Sequence, residues 1–194
     1  GVRLALGLVG IRYRVTGREH VSEGAFVFCS NHQSNVDPPV LFEALHPRLH
    51  ILYKAELHKF PIMGTVFDVG GFVPVERDNR ERAMASINRG AQSLRAGNSF
   101  LIFPEGTRSR TGDLLPFKKG GFIMAIRAQA PVVPVAILGA RAAMEKGSAI
   151  VRPVRVTVRI GEPVPTVGLV DGDRDALIER VRERLQALVD QGPL

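Results

Sequence analysis

The chain has 194 residues, 45% hydrophobic and 23% charged, with 20 Gly and 13 Pro, which suits one globular domain with a buried core and excludes a disordered one. The 26 Lys and Arg against 19 Asp and Glu leave a formal net charge of +7, favouring an anionic partner: nucleic acid, a lipid surface or a phosphorylated substrate. With no Trp and two Tyr to stack bases, nucleic acid is the weakest of the three.

The single cysteine, Cys29, excludes an internal disulfide. No Cys/His array has zinc spacing, so a reducing compartment and the cytoplasmic side are expected, with no metal site. No apolar run approaches the roughly 20 residues that a spanning helix needs.

At the amino end, residues 4–11 are apolar apart from Gly7 and Gly10 and are bracketed by Arg3, Arg12 and Arg14. Two readings are open. The composition suits a helix at a lipid interface, and because the chain opens with Gly1 rather than Met, that helix reads as a trimmed membrane element. Alternatively Leu4, Leu8 and Ile11 dock a first helix onto the core.

Short apolar runs at 25–29, 50–53, 72–75, 99–103, 132–138 and 154–160 read as strands, the first five as inner ones. Between them, 79–96 places Ala83, Ile87, Ala91 and Leu94 at helical spacing, with Gly97 as a stop. Residues 120–130 and 173–188 also read as helices, the last with Leu177, Val181, Leu185 and Leu188 on one face. Residues 141–153 read as a surface loop. This alternation predicts a single α/β domain with a largely parallel or mixed sheet flanked by helices on both faces, and ligands off the carboxyl ends of its strands.

The informative segments follow strands. The first is Asn31-His32-Gln33-Ser34-Asn35-Val36-Asp37-Pro38-Pro39. On a continuous helix His32 and Asp37 point apart, but the two prolines disfavour helix before them, so a turn can bring the carboxylate back to the imidazole. A carboxylate on one ring nitrogen fixes the tautomer and leaves the other to take a proton from an alcohol. On spacing alone this reading and a helix-capping Asp37 stand level.

The second segment, Phe103-Pro104-Glu105-Gly106-Thr107-Arg108-Ser109, joins a carboxylate, a glycine, a hydroxyl and a fork-shaped cation that can grip phosphate. As a plain turn it would be a surface ion pair of little energetic value. The third, Gly70-Gly71-Phe72-Val73-Pro74-Val75-Glu76-Arg77, ends a strand in another arginine. The fourth, Lys118-Lys119-Gly120-Gly121, offers cations and amides before a helix, although Lys119 reads better as solvated. His46 and His50 are four apart, but Pro47 interrupts them and no third metal ligand is evident.

In order and type these motifs resemble the glycerolipid acyltransferases, in particular the 1-acylglycerol-3-phosphate acyltransferases. The match runs from about residue 18 to 161 and includes an apolar Val133-Pro134-Val135 strand. Glu76 stands where aspartate is common in that family. The resemblance implies a glycerol-3-phosphate acyltransferase-like fold, with residues 1–20 as an interfacial or docking helix and 21–194 as the acyltransferase domain.

The resemblance further implies direct acyl transfer from acyl-CoA or acyl-carrier protein to the free hydroxyl of a lysophospholipid, with no cofactor and no acyl-enzyme. His32 would be the base and Asp37 its partner, with Arg77, Glu105, Gly106, Thr107 and Arg108 on the glycerol phosphate and Lys118 beside them. The expected setting is a membrane surface on its cytoplasmic face. A hydrolase using His32 to activate water, and a non-catalytic lipid binder, are the rivals that keep the same fold.

Overall fold

A computed structural model describes residues 2–21, 23–45, 49–54, 73–75, 79–144 and 150–194. Helix α1 (Val2–Leu8) leads into strand β1 (Ile11–Thr16). Then follow β2 (Val27–Ser30), α2 (Asp37–Ala44), β3 (Leu49–Lys54), β4 (Val73–Val75), α3 (Arg80–Arg95), β5 (Ser99–Ile102), α4 (Gly120–Ala128), β6 (Val132–Leu138), β7 (Val154–Ile160) and α5 (Arg174–Asp190).

One seven-stranded sheet has the order β1-β7-β6-β2-β5-β3-β4. Every neighbouring pair is parallel except β6 and β7, which are antiparallel. The mixed sheet follows from that one junction. Because β7 and β1 run opposite to the rest, their amino ends share one rim with the carboxyl ends of β6, β2, β5, β3 and β4.

Side chains alternate through the inner strands, so both faces bury apolar residues. Phe28, Leu101, Val133, Val135 and Ile137 face α1 and α2, which contribute Leu6, Val40 and Leu41. Val27, Cys29, Phe100 and Ile102 face the other way, onto Ile87 and Leu94 of α3, Phe122 and Ile126 of α4, and Leu177 and Val181 of α5. Gly121 lets α4 settle on β5, because a Cβ there would lie 2.5 Å from Ile102 Cδ1. On α3, Asn79 accepts the Arg82 amide as an N-cap.

Two sequence expectations change. The run 72–75 reads as an inner strand, yet among the described strands β4 (Val73–Val75) lies at the edge of the sheet, where no second ladder requires the amide that Pro74 lacks. Residues 1–20 read as a helical segment, yet the helix ends at Leu8 and Gly10 turns at φ +76° into β1. The strand signal was present as alternation, with Ile11, Tyr13 and Val15 inward against Arg12, Arg14 and Thr16 outward. Among the described residues no helix is long and apolar enough to cross a membrane.

Candidate active site

The two chemistry-bearing segments leave neighbouring parallel strands, β2 and β5, at the same rim. The first begins with Asn31, whose side chain substitutes for a backbone rung. Its Nδ2 donates to Ile137 O at 2.9 Å and its Oδ1 accepts from Ile137 N at 2.8 Å. The chain can therefore leave the sheet at Asn31 without orphaning β6. Replacing Asn31 by alanine strands both groups of a buried residue, and we expect a loss of about 2 to 4 kcal/mol in urea unfolding.

His32 follows, with its side chain 18% exposed, and its Nδ1 lies 2.8 Å from Oδ2 of the fully buried Asp37. The same carboxylate oxygen accepts the amides of Gln33 at 2.6 Å and Ser34 at 2.8 Å. Asp37 is the first residue of α2, and the next two residues are prolines with no amide to cap. Its carboxylate therefore closes the preceding turn onto the imidazole rather than capping its own helix. With Nδ1–H donating to Asp37, Nε2 keeps its lone pair, and among the described residues nothing bonds to it.

The second segment holds His32 in place. Glu105 Oε1 accepts the His32 amide at 3.0 Å, and Oε2 accepts the Leu115 amide at 3.0 Å. The Ser109 amide donates to His32 O at 2.9 Å. Phe103 stacks on the imidazole with ring centroids 4.2 Å apart. Gly106 turns the chain at φ +69°, a conformation other residues rarely adopt. Its amide donates to Phe103 O.

Among the residues expected to bind a phosphate head, Glu105 is 4% exposed with both oxygens on backbone amides, so it acts here as a clamp on His32. Thr107 is exposed and Arg108 half-buried, and Arg108 Nη1 is buried with no hydrogen-bond partner among the described residues. Lys118 is exposed, and its amide donates to Pro104 O at 2.8 Å. Lys119 pairs with Asp175 at 3.1 Å on the surface. Arg77, with Glu76, lies outside the described residues, as does His46; His50 stacks on Phe100.

Burial pushes the Glu105 carboxyl above its ordinary value, against the opposing pull of the Leu115 and His32 amides. A carboxyl so raised holds its proton more readily folded than unfolded, so its contribution to stability is greatest in acid and declines as pH rises through the raised value. Wild type should therefore lose stability relative to Glu105→Gln as pH climbs through the carboxylate range, in urea unfolding at stepped pH. A gap that widens in favour of wild type would mean that the fold prefers the ionised form.

Among the described residues, Cys29, Ser30 and Ser34 do not stand ready as nucleophiles beside the histidine. Burial, then the Glu105 charge, pushes the Cys29 thiol far above its ordinary value. Ser30 Oγ is spent on Asn31 O, and Ser34 Oγ on Met144 O. What the rim offers is an orienting carboxylate, an imidazole whose Nε2 has no partner among the described residues, and a guanidinium group whose buried Nη1 has none there either.

A family model described as Acyltransferase matches residues 12–138, well over half of the chain. The chain belongs to the acyltransferase family. Within it, the chain is 33% identical to a 1-acyl-sn-glycerol-3-phosphate acyltransferase of Limnanthes douglasii, over 84% of this chain and 58% of that protein. It is 35% identical to 1-acyl-sn-glycerol-3-phosphate acyltransferase beta of Homo sapiens, over 88% of this chain and 62% of that protein. The acyltransferase chain thus spans about 60% of the length of these relatives. Its fold is similar to the crystal structure of PlsC, the 1-acyl-sn-glycerophosphate (LPA) acyltransferase of Thermotoga maritima, with a TM-score of 0.82 and 28% identity. That match covers 98% of this chain and 76% of the other.

Sequence reasoning grouped His32 with Asp37 and set Glu105 with Arg108 on the phosphate; it held Asn31 and Phe103 inside the motifs without giving either a role, and left Leu115 out. Asn31 carried a signal, an amide side chain where a strand must release its neighbour. The Leu115 amide carried none, because any non-proline residue supplies one.

Proposed function

We propose that this chain is a 1-acylglycerol-3-phosphate acyltransferase, moving a fatty acyl group from acyl-CoA or acyl-carrier protein to the free hydroxyl of the lysolipid and giving phosphatidic acid. The single observation that carries the reading is the His32 Nδ1 to Asp37 Oδ2 contact of 2.8 Å, which leaves Nε2 free for a substrate hydroxyl. The names of the relatives point to the same substrate.

In this mechanism His32 Nε2 takes the hydroxyl proton as the oxygen attacks the thioester carbonyl. The carbon–sulfur bond then breaks, and the thiolate leaves with the proton returned from the imidazolium. A thioester is already activated, so no covalent enzyme intermediate is needed, which fits the commitments of Cys29, Ser30 and Ser34. Arg108, with Arg77, binds the lysolipid phosphate, and Gly106, Thr107 and Lys118 border it. Glu105 serves by positioning His32. The reaction takes place at a membrane surface on its cytoplasmic face and needs no cofactor beyond the acyl donor.

The test mixes purified protein with lysophosphatidic acid and labelled acyl-CoA or acyl-carrier protein, and separates the lipids by thin-layer chromatography. Labelled phosphatidic acid is expected. Free fatty acid alone would replace the reading with hydrolysis, and no product from either donor would end it for this lysolipid.

A further inference from the structure

Helix α5 reaches the loop behind His32 through Arg182. The apolar stripe of this helix, Leu177, Val181 and Leu185, is buried, and Arg182 is half-buried at its border. Arg182 Nη1 donates to Leu115 O at 2.9 Å and Nη2 to Leu114 O at 3.2 Å. The guanidinium carbon lies 5.3 Å from the centroid of the Phe117 ring. Among the described residues no carboxylate pairs with Arg182. An arginine that sets its planar fork on two successive carbonyls holds backbone rather than balancing a charge.

Leu114 O and the Leu115 N–H are the two ends of one planar peptide group. The N–H end donates to Glu105 Oε2 at 3.0 Å, and Glu105 Oε1 accepts the His32 amide at 3.0 Å. A continuous chain of hydrogen bonds therefore runs from α5, through the 114–115 peptide and the Glu105 carboxylate, to the backbone of the imidazole-bearing residue. Bonds in such a chain polarise one another, so loosening the first weakens the others. Leu114 is buried against Ala136 and against Leu185, one turn beyond Arg182, so the same helix also grips this peptide by an apolar contact. Burial raises the Glu105 carboxyl; the Leu115 and His32 amides and the charges of His32 and Arg182 oppose that rise. Arg182 thus favours the ionised carboxylate, whose two oxygens can both accept amides.

We propose that Arg182 is a positioning residue for acyl transfer: by fixing the 114–115 peptide it keeps Glu105 closed on the His32 backbone, and so sets the imidazole against Asp37 and the substrate hydroxyl. The inference rests on the acyl-transfer reading and deepens it, giving α5 a part in the reaction. Without the fork the peptide is free to turn, Oε2 loses its donor in a buried place, and Glu105 shifts to find another. The His32 backbone follows, and Nε2 moves off the hydroxyl.

The experiment sets steady-state turnover of lysophosphatidic acid beside hydrogen exchange at the Leu115 and His32 amides. Arg182→Met keeps an unbranched stem over Phe117 and removes the donors. Because a misplacement of about 1 Å can cost about 100-fold, kcat should fall about 10- to 100-fold with KM unchanged. Two lost hydrogen bonds, worth about fivefold each, should speed exchange at Leu115 about 10- to 30-fold. Arg180→Met, exposed on the same helix, should match wild type in both. In a Glu105→Gln background the side-chain amide can accept from only one of the two N–H groups, so the chain is already broken and Arg182→Met should lower kcat little further. If Arg182→Met fails to fold, Arg182→Lys, which keeps the cation and one donor, carries the same comparison with a smaller loss.

Wild-type kcat in Arg182→Met overturns the proposal, as does a loss confined to KM, which would place the arginine on the substrate. An equal fold-loss in the Glu105→Gln background also overturns it, because Arg182 would then act by another route. Exchange needs no substrate, so the two readings fail separately. Faster exchange in Arg182→Met, when wild type makes no phosphatidic acid, would sink the reaction and keep the chain of bonds. Unchanged exchange, when wild type does make it, would sink the chain of bonds alone.

Discussion

Replacing His32 by alanine should lower the turnover of lysophosphatidic acid about 100- to 10,000-fold, the usual worth of a positioned general base. The backbone at this position is held by Glu105 and by Ser109, neither through the imidazole. The variant should therefore fold, at the cost of the Phe103 stacking contact. Steady-state kinetics against circular dichroism separates the two effects. The loss should fall in kcat rather than KM, because the imidazole acts on the reacting hydroxyl while the phosphate is gripped elsewhere. A variant that keeps more than a tenth of wild-type kcat would remove His32 as the base.

Asp37→Asn is expected to cost about 100-fold or more in kcat, by analogy with the orienting carboxylate of serine-protease triads. Three donors converge on Asp37 Oδ2, from His32, Gln33 and Ser34. Asparagine can offer them its oxygen, but without the charge that stabilises an imidazolium. Its amide nitrogen must then occupy the place of Oδ1, a buried atom with no partner among the described residues. Two stranded N–H donors there should also lower stability by about 1 to 3 kcal/mol. An active but merely unstable variant would reduce Asp37 to a support for the turn.

The α/β class was legible because apolar runs and helical spacing alternate along the chain, and the ends of 99–103 and 132–138 fall within a residue of β5 and β6. The antiparallel reversal at β7 was not, since the period-two pattern of 154–160 is the same in either direction. Strand β1 was hidden by its arginines, which suit an interfacial helix as well as an edge strand. At the site, the turn forced by Pro38 and Pro39 anticipated that Asp37 could return to His32. Glu105 could not be assigned from sequence, because whether a carboxylate faces ligand or backbone depends on a loop ten residues further along, at Leu115.

The placement of β2 between β5 and β6 bears on how the chain assembles. Cys29 lies in register with Ile102 on one side and Pro134 on the other, so its burial waits until both later strands have been synthesised and have closed around it. Such long-range parallel pairing is slow compared with local helix formation. The lone thiol is open to alkylating reagents until that closure and fully enclosed after it, which makes it a built-in clock: the moment it stops reacting marks the moment the two halves of the catalytic rim meet.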